Sequence, residues 1–476
     1  MLVLALFKET CYSKGGDNMA EELKDRQEEA FDEARLISLL TEGEIVLFRE
    51  EFLDLHPYDQ GQFYERVEPD IRQIIYQYLS PKELATIFEA IELDDEEYPI
   101  FIAEMEPSYA AEMLSEMYTD DAVDVLNELD QDQTSHFLKM MDSESAQDIR
   151  ELLHYEEDTA GALMTTEYVA VAENSTVRSA MTILRNAAPD AEMIYYIFVV
   201  DDRNRLTGVL SLRDLIVASE DTLIRDIRNE RVVSAQVTDD QEDVAQVMRD
   251  YNFVALPVVN SRNEILGIIT VDDIIDVIDE EAGEDYSKLA GVSDMETFDK
   301  SPFSAAKKRL PWLVCLLFLG MITANLIDLF TGTLAKVALL AAFIPLIGGT
   351  SGNSGTQALA VAVRGIATGD VEEESKMKLV IRELLTGIIM GLVCGVIALG
   401  IVFFWQHELL LGALVGVAIC CSIVVATVAG TLIPLVMDRM KIDPAVASGP
   451  FITTLNDITS ILIYLGIATL FIDKLM

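Results

Sequence analysis

Positive charge is what this sequence is shortest of: 34 Lys and Arg stand against 81 Asp and Glu, a formal net charge of −47 over 476 residues. No basic stripe is present that could displace the counterions of a phosphate backbone, which excludes nucleic acid as a partner. Cysteine is scarce as well. Cys11, Cys315, Cys394, Cys420 and Cys421 show no CxxC and no Cys/His spacing, so neither a disulfide framework nor a structural zinc site is expected. The four histidines, His56, His136, His154 and His407, are scattered. Any metal chemistry must therefore run on oxygen ligands. No nucleophile–base arrangement and no phosphate-cradling loop is visible, so the chain does not read as an enzyme. The first 300 residues lack any apolar run long enough to cross a bilayer. The opening MLVLALF has no basic leader or cleavage site and reads as neither a signal peptide nor a span. Met19 is the expected native start, and residues 1–28 are expected to be an extension outside the domains.

What is present is segregated. From Ser301 to the end there are 11 acidic and 11 basic residues, leaving 70 acidic and 23 basic residues in the first 300. A strongly acidic half thus precedes a neutral, apolar one, in a chain long enough for two to four domains. An acidic surface attracts cations or simply keeps a domain soluble; the positions of the carboxylates bear on which.

Five apolar segments follow Ser301, at about 310–330, 336–364, 379–404, 409–437 and 447–471, each near the ~20 residues a spanning helix needs. Lys307, Lys308, Arg309, Arg364, Lys376, Lys378, Arg382, Arg439 and Lys441 fall on one side of these spans, and Lys336 and Lys474 on the other. Nine against two predicts a cytosolic N-terminal half and, with an odd number of spans, an external C-terminus. The missing targeting peptide points to a bacterial plasma (inner) membrane.

Two features inside the spans cost energy. The second span carries Pro345-Leu-Ile-Gly-Gly-Thr-Ser-Gly-Asn-Ser-Gly-Thr-Gln357, rich in glycine and in side-chain oxygens. Such a stretch is tolerated at membrane depth where it is buried in protein or lines a wet cavity; alternatively Gly348 and Gly352 form a GxxxG pair for close helix packing. The other feature is Asp457, the one acidic residue well inside a span, in Ser448-Gly-Pro-Phe-Ile-Thr-Thr-Leu-Asn-Asp-Ile-Thr-Ser460. A central carboxylate costs about 3 kcal/mol on insertion scales. A passing cation is its natural counter-charge; a protonated acid bonded to Thr453 or Thr454 is the other reading. Oxygen-only ligands suit Mg²⁺, Ca²⁺ or Mn²⁺, and one carboxylate among neutral oxygens leans toward Mg²⁺.

In the acidic half, Val199–Ile216 aligns without gaps on Val258–Ile275, with seven of 18 positions identical. Each unit reads as a strand, a turn at Arg-Asn, a second strand after Gly and a helix opened by Asp. This pair resembles tandem CBS modules, which usually regulate, often through adenine nucleotides such as ATP. The resemblance puts Tyr196, Arg213, Asp214 and Phe253 where that family contacts nucleotide; sheet and helix-cap roles would use the same residues. Upstream, residues 30–160 read as helices without strands. Met105, Met117, Leu129 and Met141 recur every 12 residues, which predicts one short helix per repeat in a superhelical stack with these residues as core. After the second CBS unit, Asp273, Asp276 and Glu280 share a helix face, either bridged by cations or solvated with Ile274, Ile275 and Ile278 packed behind.

Taken together, the acidic helical domain, the paired CBS modules, a connecting helix and five spans carrying PLIGGTSGNSGTQA and ASGPFITTLNDITS resemble the MgtE family of magnesium transporters. The expected fold is a multidomain α and α+β membrane protein: a superhelical domain over 29–160, CBS units over 161–224 and 225–281, a connecting helix over 282–306 and a five-helix membrane domain over 307–476. The resemblance implies a homodimer in the lipid bilayer, with no other obligatory protein and one pore on the two-fold axis between the second and fifth spans. Asp457 would hold hydrated Mg²⁺ there, with Asn353, Thr356, Gln357, Gly449, Thr453 and Thr454 among the lining. It further implies that Asp443 pairs with Asp285 around a closing ion, that Asp273 shares Mg²⁺ with Asp120 and Asp124, and that Asp276 and Glu284 belong to the same gating set. Asn252 stands where an acid is expected, which puts one regulatory ion in doubt. The alternatives are a membrane-anchored nucleotide or ion sensor, or a transporter of Co²⁺ or Mn²⁺.

Overall fold

The computed structural model describes residues 31–91, 93, 97–292, 302–369, 371 and 375–475. The expected extension over 1–28 and the stretch 293–301 of the connecting segment lie outside them. The chain forms two compact units, divided between Ile274 and Ile275.

Among the described residues the first unit opens with ten helices: α1 (Glu33–Glu42), α2 (Ile45–Leu53), α3 (Pro57–Arg66), α4 (Pro69–Tyr78), α5 (Pro81–Phe88), α6 (Tyr98–Ala103), α7 (Pro107–Glu116), α8 (Thr119–Asn127), α9 (Gln131–Met140) and α10 (Ser145–Leu152). The 12-residue period is real. Met105, Met117, Leu129 and Met141 are each buried just past a helix end. The same 12-residue spacing joins Val67, Leu79 and Ile91, also buried, and a 14-residue step then leads to Met105. Proline opens α3, α4, α5 and α7, at the position where its missing N–H costs no helical bond.

Two matching sheets follow. In the first, β1 (Ala170–Ala172) lies parallel to β2 (Tyr196–Val200), which pairs antiparallel with β3 (Leu206–Ser211). Around them stand α11 (Val177–Ala187), α12 (Leu212–Val217) and α13 (Ile224–Ile227). The second sheet repeats the order with β4 (Ala235–Gln236), β5 (Ala255–Val259) and β6 (Ile265–Thr270), between α14 (Gln241–Tyr251) and α15 (Val271–Ala290). Asn204 and Asn263 adopt φ of 58° and 63°, the left-handed geometry that asparagine tolerates in tight turns. The two turns grip one another: the Asn263 amide donates to Leu206 O and the Asn204 amide to Ile265 O.

The repeat differs from expectation in two details. The second strands begin at Leu206 and Ile265, two residues ahead of the glycine. The glycine lies inside the strand because a neighbour crosses there: a Cβ at Gly267 would lie 2.4 Å from the Thr165 carbonyl, and one at Gly208 would meet the Arg228 side chain. The aspartates do not open the helices either. Ser211 caps α12 in a capping box with Asp214, and Thr270 donates to Asp273 in the same way. Asn252 ends α14 at φ 54°, a helix C-cap that favours asparagine. In α15, Ile274 and Val277 are buried, whereas Ile275 and Ile278 are exposed; the buried spacing is i, i+3, so the expected packing of Ile275 and Ile278 does not occur. The helix also runs unbroken through 281–282, where the sequence suggested a boundary.

The second unit holds long helices: α16 (Pro302–Leu329), then a short α17 (Thr331–Lys336) and a 3-10 turn (Ala338–Phe343), α18 (Ile344–Ala367), α19 (Lys376–Gln406), α20 (Leu409–Arg439), and α21 (Gly449–Leu470) with a terminal α22 (Ile472–Leu475). Among the described residues four, not five, are long and apolar enough to cross a membrane: α16 from Ala305, α19, α20 and α21. The exception, α18, has the length but carries the polar run Thr350–Gln357, which pulls its hydropathy down. It packs against both α20 and α21. Glycines let α19 and α20 approach closely, since Cβ atoms at Gly387, Gly391 and Gly395 would collide with Thr427, Cys420 and Gly416. The Tyr464 hydroxyl donates to the Leu340 carbonyl at 2.9 Å and satisfies the irregular turn before α18.

Gly267→Ala should destabilise the fold by about 2–4 kcal/mol, because the added methyl meets rigid backbone. The repeat-equivalent Gly208→Ala should cost less, as Arg228 is a side chain that can shift. Thermal unfolding of the two variants checks the order.

Candidate functional site

Two carboxylate groupings and one membrane carboxylate carry the site residues, one in the first unit and two in the second.

In the first unit, α8 presents its acidic first turn to the CBS pair. The Thr119 hydroxyl meets that of Thr166 at 2.8 Å and donates to Glu167 at 2.6 Å; Thr165 donates to the same carboxylate at 2.6 Å. The Tyr118 backbone N–H donates to Glu89 at 3.1 Å. These contacts bring carboxylates together. Asp120 is only 8% exposed, and burial, with the charges of Asp121, Asp273 and Glu192, pushes it well above the ordinary carboxylate range. Asp121 is pushed up to about 9 by burial first and then by Glu89, Asp273, Asp124 and Glu192. Glu192 rises to about 7, chiefly through burial and the Asp273 charge, while the Thr165 and Thr270 hydroxyls oppose the shift. Carboxylate oxygens of Glu192, Asp272 and Asp273 lie within 4.8 Å of one another, and Glu192 Oε2 is buried without a hydrogen-bond partner. Such a set fits a hard divalent cation.

Of the residues expected here, Asp120 and Asp273 come together, while Asp124 is exposed and bears on Asp121. Asp121, Glu192, Asp272 and Glu89 were not foreseen. Asp121 and Asp272 sit beside expected residues, but Glu89 and Glu192 belong to distant segments that no local pattern joins. Asp276 is exposed one turn further along α15.

In the second unit, the C-terminal part of α15 meets the turn before α21. Asp443 caps that turn through Oδ1, which accepts from Ala445 N–H at 2.8 Å, while its Oδ2 accepts from Lys288 Nζ at 2.5 Å. Lys288 also pairs with Glu284. Burial works against the Lys288 charge, but its bonds to Asp443 and Glu284 hold its pKa above the usual value. Asp285 is pushed up to about 6, by burial and then by Asp443, with Lys288 opposing. The expected Asp285–Asp443 pair is therefore close enough to interact, but Lys288 already stands at Asp443. Gly291, at φ 75°, seats the end of α15 against Trp312 and Pro450, where a Cβ would lie 2.4 Å from the indole.

Asp457 lies midway along α21. Its carboxylate is received by Gly348 of α18, where a Cβ would come within 2.7 Å of Oδ1. Gly352 receives Thr453 and Gly355 receives Asn456 in the same manner. The close-packing reading of the glycines therefore holds. Among the described residues no side chain donates to Asp457 or pairs with it, since the Thr453 and Thr454 hydroxyls bond their own helix at Gly449 and Pro450. Thr356 meets Thr453 at 3.3 Å, and Gly449 is buried against Thr356 and the Leu289 carbonyl. Asn353 and Gln357 fall one turn apart on an exposed stripe of α18.

Of the CBS residues, Tyr196 is half-buried in β2, Arg213 is exposed, and Phe253 stacks on Tyr251 at 5.2 Å. Asp214 is engaged by Ser211.

The chain matches family models for an MgtE intracellular N domain over 55–158, CBS domains over 160–221 and 224–280, and a divalent cation transporter over 344–467. It is 57% identical to "Magnesium transporter MgtE" of Enterococcus faecalis, over 92% of this chain and 96% of that one. It is 39% identical to "Magnesium transporter MgtE" of Bacillus subtilis, over 93% and 97%. Among solved structures, the "soluble part of a magnesium transporter" matches with 58% identity and a TM-score of 0.52, covering 54% of this chain and 99% of that one.

The raised carboxylates have a pH consequence. Their pKa values are higher in the assembled state, so assembly takes up protons and weakens as pH rises from about 5 to about 9. In chelator, proteolysis in the 153–169 segment should increase over that range, and Mg²⁺ should flatten the dependence. Cleavage independent of pH would contradict the burial of these acids.

Proposed function

Because the chain belongs to the MgtE family of divalent cation transporters, we propose that it carries Mg²⁺ across the plasma membrane and is regulated by Mg²⁺ on its acidic cytosolic side. The single observation that carries the reading is Asp457: a carboxylate in an apolar helix, seated on glycines, with no partner among the described residues. A carboxylate so placed needs a cation or a proton. Mg²⁺ dehydrates reluctantly, so one carboxylate with neutral oxygens nearby suits its passage with waters retained.

The pore is taken to lie between two copies of the chain. The exposed Asn353–Gln357 stripe supports this, since such amides do not face lipid. Its lining would be Asn353, Thr356, Gln357, Gly449, Thr453 and Thr454. A homodimer also accounts for exposed apolar side chains such as Ile216, 66% accessible at the end of the first repeat. On this reading α18 is the fifth membrane-crossing element, spared contact with lipid by α20 and α21. The N-terminus is cytosolic and the C-terminus outside, an orientation supported by the basic residues flanking the spans. The domains follow the division at 29–160, 161–281, 282–306 and 307–476.

Regulation follows from repulsion. Without divalent cation, Asp120, Asp121, Asp124, Glu192, Asp272 and Asp273 repel one another and oppose the compact arrangement. Mg²⁺ bridging them favours it, and a second ion at Asp285 and Asp443, with Glu284 nearby, would hold α15 in the closed position; Asp276, further back on α15, is assigned to the same gating set. The shift is set by the difference in ion affinity between the states. Tyr196, Arg213, Asp214 and Phe253 are the candidate contacts for an adenine nucleotide such as ATP, supported by the CBS family match.

Proteoliposomes loaded with a Mg²⁺-sensitive dye test both parts. Asp457→Asn should reduce influx at least about tenfold, as expected for a lost charge-assisted contact; undiminished influx would overturn the pore assignment. The double variant Asp120→Asn/Asp273→Asn should still conduct but lose inhibition by Mg²⁺ on the cytosolic side.

A further inference from the structure

The carboxylates at the end of α15 have a basic side chain among them. Lys288 Nζ lies 2.5 Å from Asp443 Oδ2 and also pairs with Glu284, one turn earlier on the same helix. The other Asp443 oxygen is held by the Ala445 backbone N–H. Both oxygens are thus engaged, and a divalent ion bound directly to Oδ2 would sit beside an ammonium of like charge. That repulsion is resolved by moving the lysine away.

We propose that Lys288 is a tethered counter-ion that must be displaced from Glu284 and Asp443 before Mg²⁺ can fill this site, and so sets the ion concentration at which the site responds. This rests on the reading of Asp285 and Asp443 as a regulatory ion site. A tethered ammonium competes for the Asp443 and Glu284 oxygens and so raises the concentration of Mg²⁺ needed to take its place. The site nearest α21 is thereby prevented from closing at trace ion. The ion pairs are partly exposed, with side-chain accessibilities of 27% for Lys288 and 35% for Asp443, so each is modest in strength. Modest strength suits the role: a fully buried pair would not yield to a competing ion.

The chain supplies its own reporter. It has two tryptophans, and Trp312 packs against Gly291 at the end of α15. With Trp405→Phe as background, Trp312 fluorescence of the full-length protein in nanodiscs follows the seating of α15 as MgCl₂ is titrated. Lys288→Met and Lys288→Gln should each lower the Mg²⁺ midpoint about three- to tenfold, the size expected for two partly exposed pairs, while Lys288→Arg stays near the wild-type midpoint. Unchanged or higher midpoints in both neutral variants would overturn the proposal. Asp443→Asn separates it from the reading beneath it. If that variant abolishes the response while the Lys288 variants leave the midpoint in place, the ion site stands and the lysine's role falls. If Asp443→Asn responds like the wild type, the ion site itself falls and the proposal with it.

Discussion

Like charges crowded at short range are the constraint to which the rest of this structure answers. Glu192, Asp272 and Asp273 bring oxygens within 4.8 Å, and Asp120 and Asp121 press on them from α8. Two unit charges at that separation repel by about 3 kcal/mol at an effective dielectric near 20. The contacts holding α8 in place include Thr119 on the Thr166 hydroxyl, about 1 kcal/mol, and Thr119 on the Glu167 carboxylate, about 2 kcal/mol. Repulsion among several carboxylates therefore offsets much of what these contacts contribute, unless protons or divalent cations intervene.

The membrane unit solves a related problem with one carboxylate instead of many. Three glycines on α18 let the polar side chains of α21 approach, so that Asp457, Asn456 and Thr453 fit against bare backbone. A methyl group at Gly348 would collide with the Asp457 carboxylate. The same glycines explain why α18 is too polar to count as a span by composition while remaining a continuous 24-residue helix: it is packed among α20 and α21. Lys288 answers the constraint in a third way, with a cation that the chain itself carries to Asp443 and Glu284.

Much of this was legible before any coordinates. The 12-residue period and the internal repeat are direct imprints of stacking geometry, and the helices and turns follow from them. Asp457 stood out because a charge in an apolar helix is costly wherever it points. Other features were hidden for physical reasons. The strand glycines could not be placed correctly, because what crosses them is Thr165 or Arg228 from elsewhere in the chain. Glu89 and Glu192 join Asp120 only through the packing of α8 on the CBS pair. Asp214 and Asp273 occupy the same position in the repeat, and both accept a cap hydrogen bond, yet only Asp273 has acidic neighbours. Lys288 was readable as the i, i+4 partner of Glu284, but its contact with Asp443 spans 155 residues.

The central claim is that the charge on Asp457 is balanced by a divalent ion and not by a proton. Infrared difference spectroscopy of the protein in lipid, recorded on adding Mg²⁺ at neutral pH, reads that choice directly. The account predicts ionised-carboxylate bands that shift with Mg²⁺ and disappear from the difference spectrum in Asp457→Asn. A protonated-carboxyl band that is lost in Asp457→Asn yet indifferent to Mg²⁺ would contradict it.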